Sequence, residues 1–427
     1  MINKAKGTYD VYGDYGKKFL YLEMLWQVLM KKYNYQYIRT PIFEASEVFL
    51  RGVGATTDIV NKETYTFLDR GNRSITLRPE GTAAVVRSYI ENKMENSPIS
   101  PLKLWYYGSM FRYERPQSGR FREFYQFGVE VLKGESPMID AEVISIAVNF
   151  LKLLGLKGIK VNLNTLGDLE SRKNYNQALF DYFKKNEDKL SLESKKRLKL
   201  NPLRILDSKE EEDQIIINDC PKMSKFLNAK SKDFYQQVKQ YLDLMGIDYQ
   251  EKENLVRGLD YYTHTVFEIE ADIKGFGAQN ILCGGGRYDG LVKILDGPDT
   301  KGVGFALGIE RIILALEHEQ IDIVDESLEV YVISLSEKEN KFALKLTSEL
   351  RSDGFNVEMD MLNRNLKNNF KYSEKLNAKL VIIIGEEETK SNILTVKSNL
   401  TKEEYKIEYE YITNFLEEKL GEIDVKI

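Results

Sequence analysis

The stretch from Leu102 to Val131 constrains the fold more than any other part of this 427-residue chain. Two apolar, aromatic runs, 102–111 and 121–131, flank a short turn at Pro116-Gln117-Ser118-Gly119, a spacing that favours an antiparallel hairpin over a strand–helix–strand crossover. Alternate side chains share a face of a strand, so Phe121, Tyr125, Phe127, Val129 and Val131 point one way and Arg122, Phe124, Gln126, Gly128 and Glu130 the other. The first face is core. The second carries an amide, a lone carboxylate, a glycine and one ring, while Arg112 and Glu114 share a side of the incoming strand. Such a face is either a solvated surface with cross-strand ion pairs or the floor of a ligand site. The mixture of groups suits a floor better.

Around the hairpin, apolar residues Phe19, Leu22, Leu25, Trp26 and Leu29 recur at helical spacing. Further strand-like runs lie at 74–77, 160–163, 264–270 and 302–306, and helical patterns at 81–93 and 140–154. The expected fold is an α+β domain over 1–320, an antiparallel sheet flanked by helices, interrupted by an inserted helical domain at 171–247. In that insert a basic stretch (Lys195, Lys196, Arg197, Lys199, Arg204) gives way to an acidic one from Glu210 to Asp213, and charge runs of this kind are usually solvated helix faces. After a linker at 321–327, strands alternate with helices over 328–427, and the near-continuous apolar strands 330–335 and 380–384 indicate a small α/β domain with a mostly parallel sheet.

The chain has two histidines and two cysteines. Those counts exclude HExxH zinc sites, cysteine-rich zinc clusters and CxxC redox chemistry, and no protein-bound transition metal is expected. A net charge of -5 argues against wholesale coating of nucleic acid but leaves room for a local basic surface that docks a folded RNA. The first residues lack an apolar signal core, and no stretch approaches the roughly 18 apolar residues of a membrane span, so the cytoplasm is expected.

Two arginine-bearing segments could bind anions. Val256-Arg257-Gly258-Leu259-Asp260-Tyr261-Tyr262 puts an arginine on a glycine turn before a strand. Gly302-Val303-Gly304-Phe305-Ala306-Leu307-Gly308-Ile309-Glu310-Arg311 puts one in the first turn of a helix, where free N–H groups and the macrodipole favour a phosphate. Neither is a Walker loop or a dinucleotide fingerprint, and taken singly each reads more readily as a structural turn with a surface arginine. Gly284-Gly285-Gly286-Arg287-Tyr288-Asp289-Gly290 reads as a tight turn or close backbone packing. At Leu77-Arg78-Pro79-Glu80-Gly81-Thr82, Glu80 and Thr82 could cap a helix or bind an ammonium group.

In this order, these segments resemble the class II aminoacyl-tRNA synthetases and, more narrowly, the histidine-tRNA ligase family. Phe111 to Glu130 resembles motif 2, Gly302 to Glu317 motif 3, and the first helix leading into Arg39-Thr40-Pro41-Ile42-Phe43-Glu44 motif 1. The Arg257 and Gly284-Gly285-Gly286 segments are particular to the histidine family.

The resemblance implies ATP, L-histidine and tRNA(His) as ligands, Mg2+ without assigned ligands, no other metal, and a homodimer. It places Arg112 and Arg257 at the α-phosphate and substrate carboxylate, Arg120 and Arg311 at the outer phosphates, and Glu114 and Phe124 at the adenine, which would stack between Phe124 and Arg311. It assigns the substrate ammonium to Glu80, Thr82 and Gln126, the imidazole to Glu130, Tyr262 and Tyr288, and the tRNA acceptor end to Arg115 and Gln117. The region 197–207 resembles the family's inserted domain, which would embrace the acceptor arm. Asn365-Leu366-Lys367-Asn368-Asn369-Phe370-Lys371-Tyr372 resembles a helix of its anticodon-binding domain, with Lys367, Lys371 and Lys375 on one face. His264, by strand alternation, would share a side with Tyr262. The rival within this fold is a regulatory paralogue serving histidine biosynthesis as an accessory subunit. Such chains typically lack the C-terminal domain and carry degraded motifs, whereas Arg112, Arg257 and Arg311 are all present here.

Overall fold

The computed structural model describes residues 2–54, 57, 59–273, 280–323 and 327–421, which divide into two compact units, Met1–Val324 and Asp325–Ile427. The division falls inside the expected linker, of which residues 324–326 lie outside the described ones, as do residues 422–427 of the expected C-terminal domain.

Strands Leu102–Phe111 and Glu123–Leu132 form the expected antiparallel hairpin, with Tyr106 opposite Gly128 and Leu104 opposite Glu130. They sit in an eight-stranded sheet running Gln36–Tyr37, Leu102–Phe111, Glu123–Leu132, Gly302–Gly308, Ile281–Arg287, Thr263–Ala271, Ile159–Thr165 and Tyr249–Glu251. The two short edge strands pair in parallel and the other six antiparallel. Alternation decides the faces. Phe127, Val129 and Val131 are fully buried under helices Gly13–Lys32 and Pro137–Leu153. There the Trp26 ring stacks on Phe127 at 5.0 Å and meets Phe150 edge-on at 4.9 Å. Each aliphatic or phenyl side chain in that layer contributes about 1.5–3 kcal/mol. The opposite face carries Gln126 and Glu130 and opens into a cleft.

The glycine triplet is close backbone packing within a central strand, Ile281–Arg287, and not a turn. A Cβ on Gly284 would stand 2.1 Å from the Arg257 guanidinium, one on Gly285 would stand 2.4 Å from the Gly304 carbonyl, and one on Gly286 would stand 2.6 Å from the Thr265 carbonyl and 2.9 Å from the Tyr262 ring. Arg287, which follows, is structural: fully buried, it is ion-paired with Asp140 and, at 3.2 Å, Asp289, and donates to the Gly134 carbonyl at 2.8 Å. Pairing is what makes a buried cation tolerable.

Between strands Ile159–Thr165 and Tyr249–Glu251, Tyr175, Leu179, Phe183, Leu198, Leu203, Ile205 and Ile217 build a helical segment with its own core. Helix Ala229–Leu244, within the expected insert, instead adds Tyr235, Val238 and Leu242 to the main core. The acidic run is solvated at Glu210, Glu211 and Glu212 but not at Asp213. That carboxylate is buried and accepts from the hydroxyls of Ser191, Ser194 and Ser208 at 2.6–2.7 Å, tying three turns of the segment together.

In the second unit a five-stranded sheet runs Val357–Met359, Val330–Ser334, Leu380–Ile384, Ile393–Ser398 and Glu404–Glu408. The first three strands are parallel and the last two antiparallel. Helices cover both faces, which is why Val330–Ser334 is buried throughout and reads as a continuous apolar run. Lys367, Lys371 and Lys375 all lie on the exposed side of helix Leu366–Lys375.

Candidate active site

The cleft above the sheet has a volume of about 1060 Å³ and is lined from several of the segments the sequence singled out: Glu80 and Thr82, Arg112 and Gln126 of the hairpin, Arg257 and Tyr262, and Arg311. Its two ends differ chemically. One is a ring of arginines. Arg112 donates through Nε to the Pro79 carbonyl at 2.9 Å and lies 5.2 Å from the centre of the Phe124 ring. Glu114 stands 4.0 Å from Arg112 and 3.6 Å from Arg120. Arg311, in the first turn of helix Ile309–His318, donates to the Ile281 carbonyl at 2.9 Å. Burial, with the Arg120 charge nearby, holds its pKa below the ordinary guanidinium value. Burial also opposes the charge of Arg257, but an ion pair with Glu268 outweighs it and raises the pKa overall. The Arg257 Nε is buried without a protein partner. Arg112, Arg120, Arg257 and Arg311 thus converge on this end of the cleft as a candidate anion site, with Glu114 and Glu268 offsetting part of their charge.

The other end is a buried polar pocket. Glu130, with no exposed surface, accepts from the Thr82 hydroxyl at 2.7 Å and the Tyr288 hydroxyl at 2.6 Å. Glycines make the room. A Cβ on Gly304 would fall 2.0 Å from the Glu130 carboxylate, one on Gly302 2.3 Å from the Tyr288 ring, and Tyr106 passes between Gly81 and Gly128, where a Cβ would come within 2.3 and 2.2 Å of it. Glu80 caps helix Thr82–Glu91, accepting from the N–H groups of Thr82 at 2.7 Å and Ala83 at 2.8 Å. Gln126 Oε1, on the cleft wall, is buried without a protein partner. Unmatched polar atoms beside a cleft are what a ligand with complementary groups would satisfy.

Burial in this pocket, offset in part by the hydrogen bonds from Tyr288 and Thr82, pushes the Glu130 carboxyl from an ordinary 4.5 up to about 8. Between those values the folded chain holds a proton the unfolded chain has lost, so this group's contribution to stability falls as pH rises from 4.5 through about 8. Glu310, pushed up to about 7 by burial, acts in the same direction. Comparing wild type with Glu130→Gln cancels that second contribution. The stability of the variant relative to wild type should rise across this window in urea titrations at stepped pH, and a pH-independent difference would refute the buried-acid assignment.

Glu80, Thr82, Arg112, Glu114, Arg120, Phe124, Gln126, Arg257, Tyr262 and Arg311 all line the cleft, while Glu130 and Tyr288 stand behind Thr82. Arg115 and Gln117 do not enter it. They are exposed on the hairpin turn, closed by paired backbone bonds between Gln117 and Arg120 at 3.1 and 2.9 Å. His264 departs from strand alternation: a left-handed φ of 43° turns its ring onto Phe234, 5.0 Å away, and it does not line the cleft. Sequence reasoning missed Tyr106, Tyr261 and Glu268. Tyr106 was accessible to it, since period two from Arg112 runs through Met110 and Gly108 to Tyr106.

The model of the family described as "Histidyl-tRNA synthetase" matches residues 20–312, and one described as "Anticodon binding domain" matches residues 329–419. Curated histidine–tRNA ligases of Staphylococcus aureus strain JH9 and of Macrococcus caseolyticus strain JCSC5402 are each 48% identical over 417 residues, covering 97% of this chain and 99% of theirs. The crystal structure of apo S. aureus histidyl-tRNA synthetase superposes with a TM-score of 0.83 at 43% identity, covering 97% of this chain and 100% of that one. With the family model spanning well over half its length and relatives this similar end to end, the chain belongs to the histidyl-tRNA synthetase family.

Proposed function

We propose that this protein ligates L-histidine to tRNA(His) in translation: ATP and histidine form histidyl-adenylate and diphosphate, and the adenylate then passes its acyl group to the tRNA, releasing AMP. The observation that carries the reading is an arginine-ringed cleft backed, behind Thr82, by a buried carboxylate–hydroxyl pocket.

Arg112 and Arg257 hold the α-phosphate and the substrate carboxylate, and Arg120 and Arg311 the outer phosphates. The adenine lies against Phe124 and Arg311, near Glu114. Gln126 Oε1, with Thr82 and Glu80, receives the ammonium, and Glu130, Tyr262 and Tyr288 surround the imidazole. A carboxylate is already ionised at neutral pH, so adenylate formation needs no general base. The barrier falls by aligning it with the α-phosphorus and neutralising the charge that develops there. In the second step the 3′-terminal ribose hydroxyl attacks the adenylate carbonyl, and an adenylate phosphate oxygen takes its proton. An apolar amino acid would offer no partner to the hydrogen-bonding capacity of Glu130 that Thr82 and Tyr288 leave unused, a mismatch capable of about 10^4-fold discrimination.

Mg2+ is proposed to arrive with the phosphates of ATP, as part of that substrate. Arg115 and Gln117, exposed on the hairpin turn, fit contact with the tRNA acceptor end, and the basic helix Leu192–Leu200 fits contact with its arm. A homodimer fits the apolar stripe Leu20, Met24 and Val28 left exposed on the first helix. No helix among the described residues is long and apolar enough to cross a membrane, and a cytoplasmic location is proposed. A regulatory role in histidine biosynthesis is not favoured, given the matched C-terminal domain and the retained arginines.

The test is histidine-dependent exchange of labelled diphosphate into ATP by the purified chain, followed by charging against a purified tRNA set. Absence of exchange would remove the synthetase reading.

A further inference from the structure

The loop that carries Arg257 and Tyr262 has little regular hydrogen bonding of its own. Before Arg257, Asn164 of strand Ile159–Thr165 donates to the Glu253 and Leu255 carbonyls at 3.0 Å each; after it, the polar groups are held by the inserted helical segment. Arg204 donates to the Gly258 carbonyl at 2.7 Å and, from Nε and a terminal nitrogen, to Asp260 Oδ1 at 3.2 Å each. Asn201 donates to the same carboxylate oxygen at 3.0 Å. Arg172, on helix Leu169–Lys185, donates to the Tyr262 carbonyl at 2.7 Å. Residues 258, 260 and 262 are thus gripped in turn from one side. On the other side, Asp260 donates its N–H to the Val53 carbonyl at 3.2 Å, and its side chain packs so close to Gly54 that a Cβ there would stand 2.7 Å from Oδ2.

We propose that Arg204 is a positioning residue for amino-acid activation: by fixing Gly258 and Asp260 it sets the path of the loop and so the placement of the Arg257 guanidinium in the cleft. The inference rests on the role given to Arg257 above. Arginine suits the task because its planar fork reaches a carbonyl and a carboxylate together, which the point charge of a lysine does not. The Arg204 side chain is 13% exposed and that of Asp260 22%, so the contact is shielded from much of the screening that weakens surface ion pairs. A displacement of about 1 Å at a group that orients reacting atoms costs about 10^2-fold in rate.

Four full-length proteins test this: Arg204→Ala, Arg204→Lys, Arg257→Ala and the Arg204→Ala/Arg257→Ala double variant, read by histidine-dependent ATP–diphosphate exchange. Arg204→Ala should lower kcat by about 10- to 100-fold, with the KM for ATP changed much less and Arg204→Lys recovering part of the loss. In the Arg257→Ala background, where there is no guanidinium left to place, Arg204→Ala should cost no more than about twofold. Losses that multiply in the double variant, or wild-type exchange by Arg204→Ala, would overturn the proposal. Should Arg204→Ala not fold, Asp260→Ala removes the carboxylate that Arg204 grips, from the loop side, and is held to the same criterion. Exchange by the wild-type chain with multiplying losses removes only the positioning role, whereas no exchange at all removes the activity on which it depends.

Discussion

Arg257→Ala should slow histidine-dependent ATP–diphosphate exchange by about 10^3-fold, the upper range for removal of one preorganised charge-stabilising donor, while histidine affinity changes much less. The Arg257 side chain lies flat across Gly284, with a terminal nitrogen committed to Glu268 and the buried Nε left without a protein partner. It can therefore meet a substrate oxygen without reorganising. Charge builds on the α-phosphate in the transition state, and a cation preplaced in the cleft stabilises that charge more than it stabilises the bound amino acid. The alanine variant also leaves the Glu268 carboxylate facing the incoming phosphates uncompensated. A companion variant, Arg257→Ala with Glu268→Gln, should recover part of the loss by removing that repulsion. Rapid-quench measurement of adenylate formation, paired with equilibrium titration of histidine, separates the two quantities. Wild-type adenylate formation by Arg257→Ala would show that the assigned role is wrong.

What could be read ahead of the coordinates was whatever side-chain periodicity encodes. The hairpin is the clearest case: Phe127, Val129 and Val131 alternate with Gln126, Gly128 and Glu130, and the two sets fall on opposite faces of the sheet as expected. The buried strands of the second unit were legible for the complementary reason, being apolar throughout. The strand Ile281–Arg287 was not legible, because three consecutive glycines have no side chains to alternate. What makes them a strand is Arg257, Phe305 and Tyr262 arriving from elsewhere in the chain to fill the space. Helix Ala229–Leu244 shows the same limit. Its amphipathic pattern declares a buried face but not which core receives it, and Tyr235, Val238 and Leu242 go to the main one. At the site, the motifs identified the arginines and Glu130, but not Glu268, whose importance lies in standing opposite Gly284 where Arg257 crosses. His264 escaped because alternation assumes extended backbone, and its φ of 43° is not extended.

Glu130→Ala should weaken histidine binding by about 10- to 100-fold, the range for loss of a hydrogen bond to a charged or strongly polar buried group, while ATP binding stays near its wild-type value. The asymmetry follows from where the side chains stand. Glu130 is at the closed end of the pocket, reached through Thr82 and Tyr288, whereas Phe124, Glu114 and Arg120 border the cleft and do not touch it. Truncation removes the acceptor and also strands two buried hydroxyl donors, so the pocket loses its match to imidazole while keeping its polarity. An apolar amino acid of similar size should accordingly gain on histidine without binding well in absolute terms. Because Gly304 exists to admit this carboxylate, with a Cβ there only 2.0 Å from it, the alanine variant leaves a void and not a collapsed strand. Calorimetric titration of histidine and of ATP, each alone, gives the two affinities directly. Equal losses for both ligands would mean that Glu130 holds the cleft together and does not select what enters it.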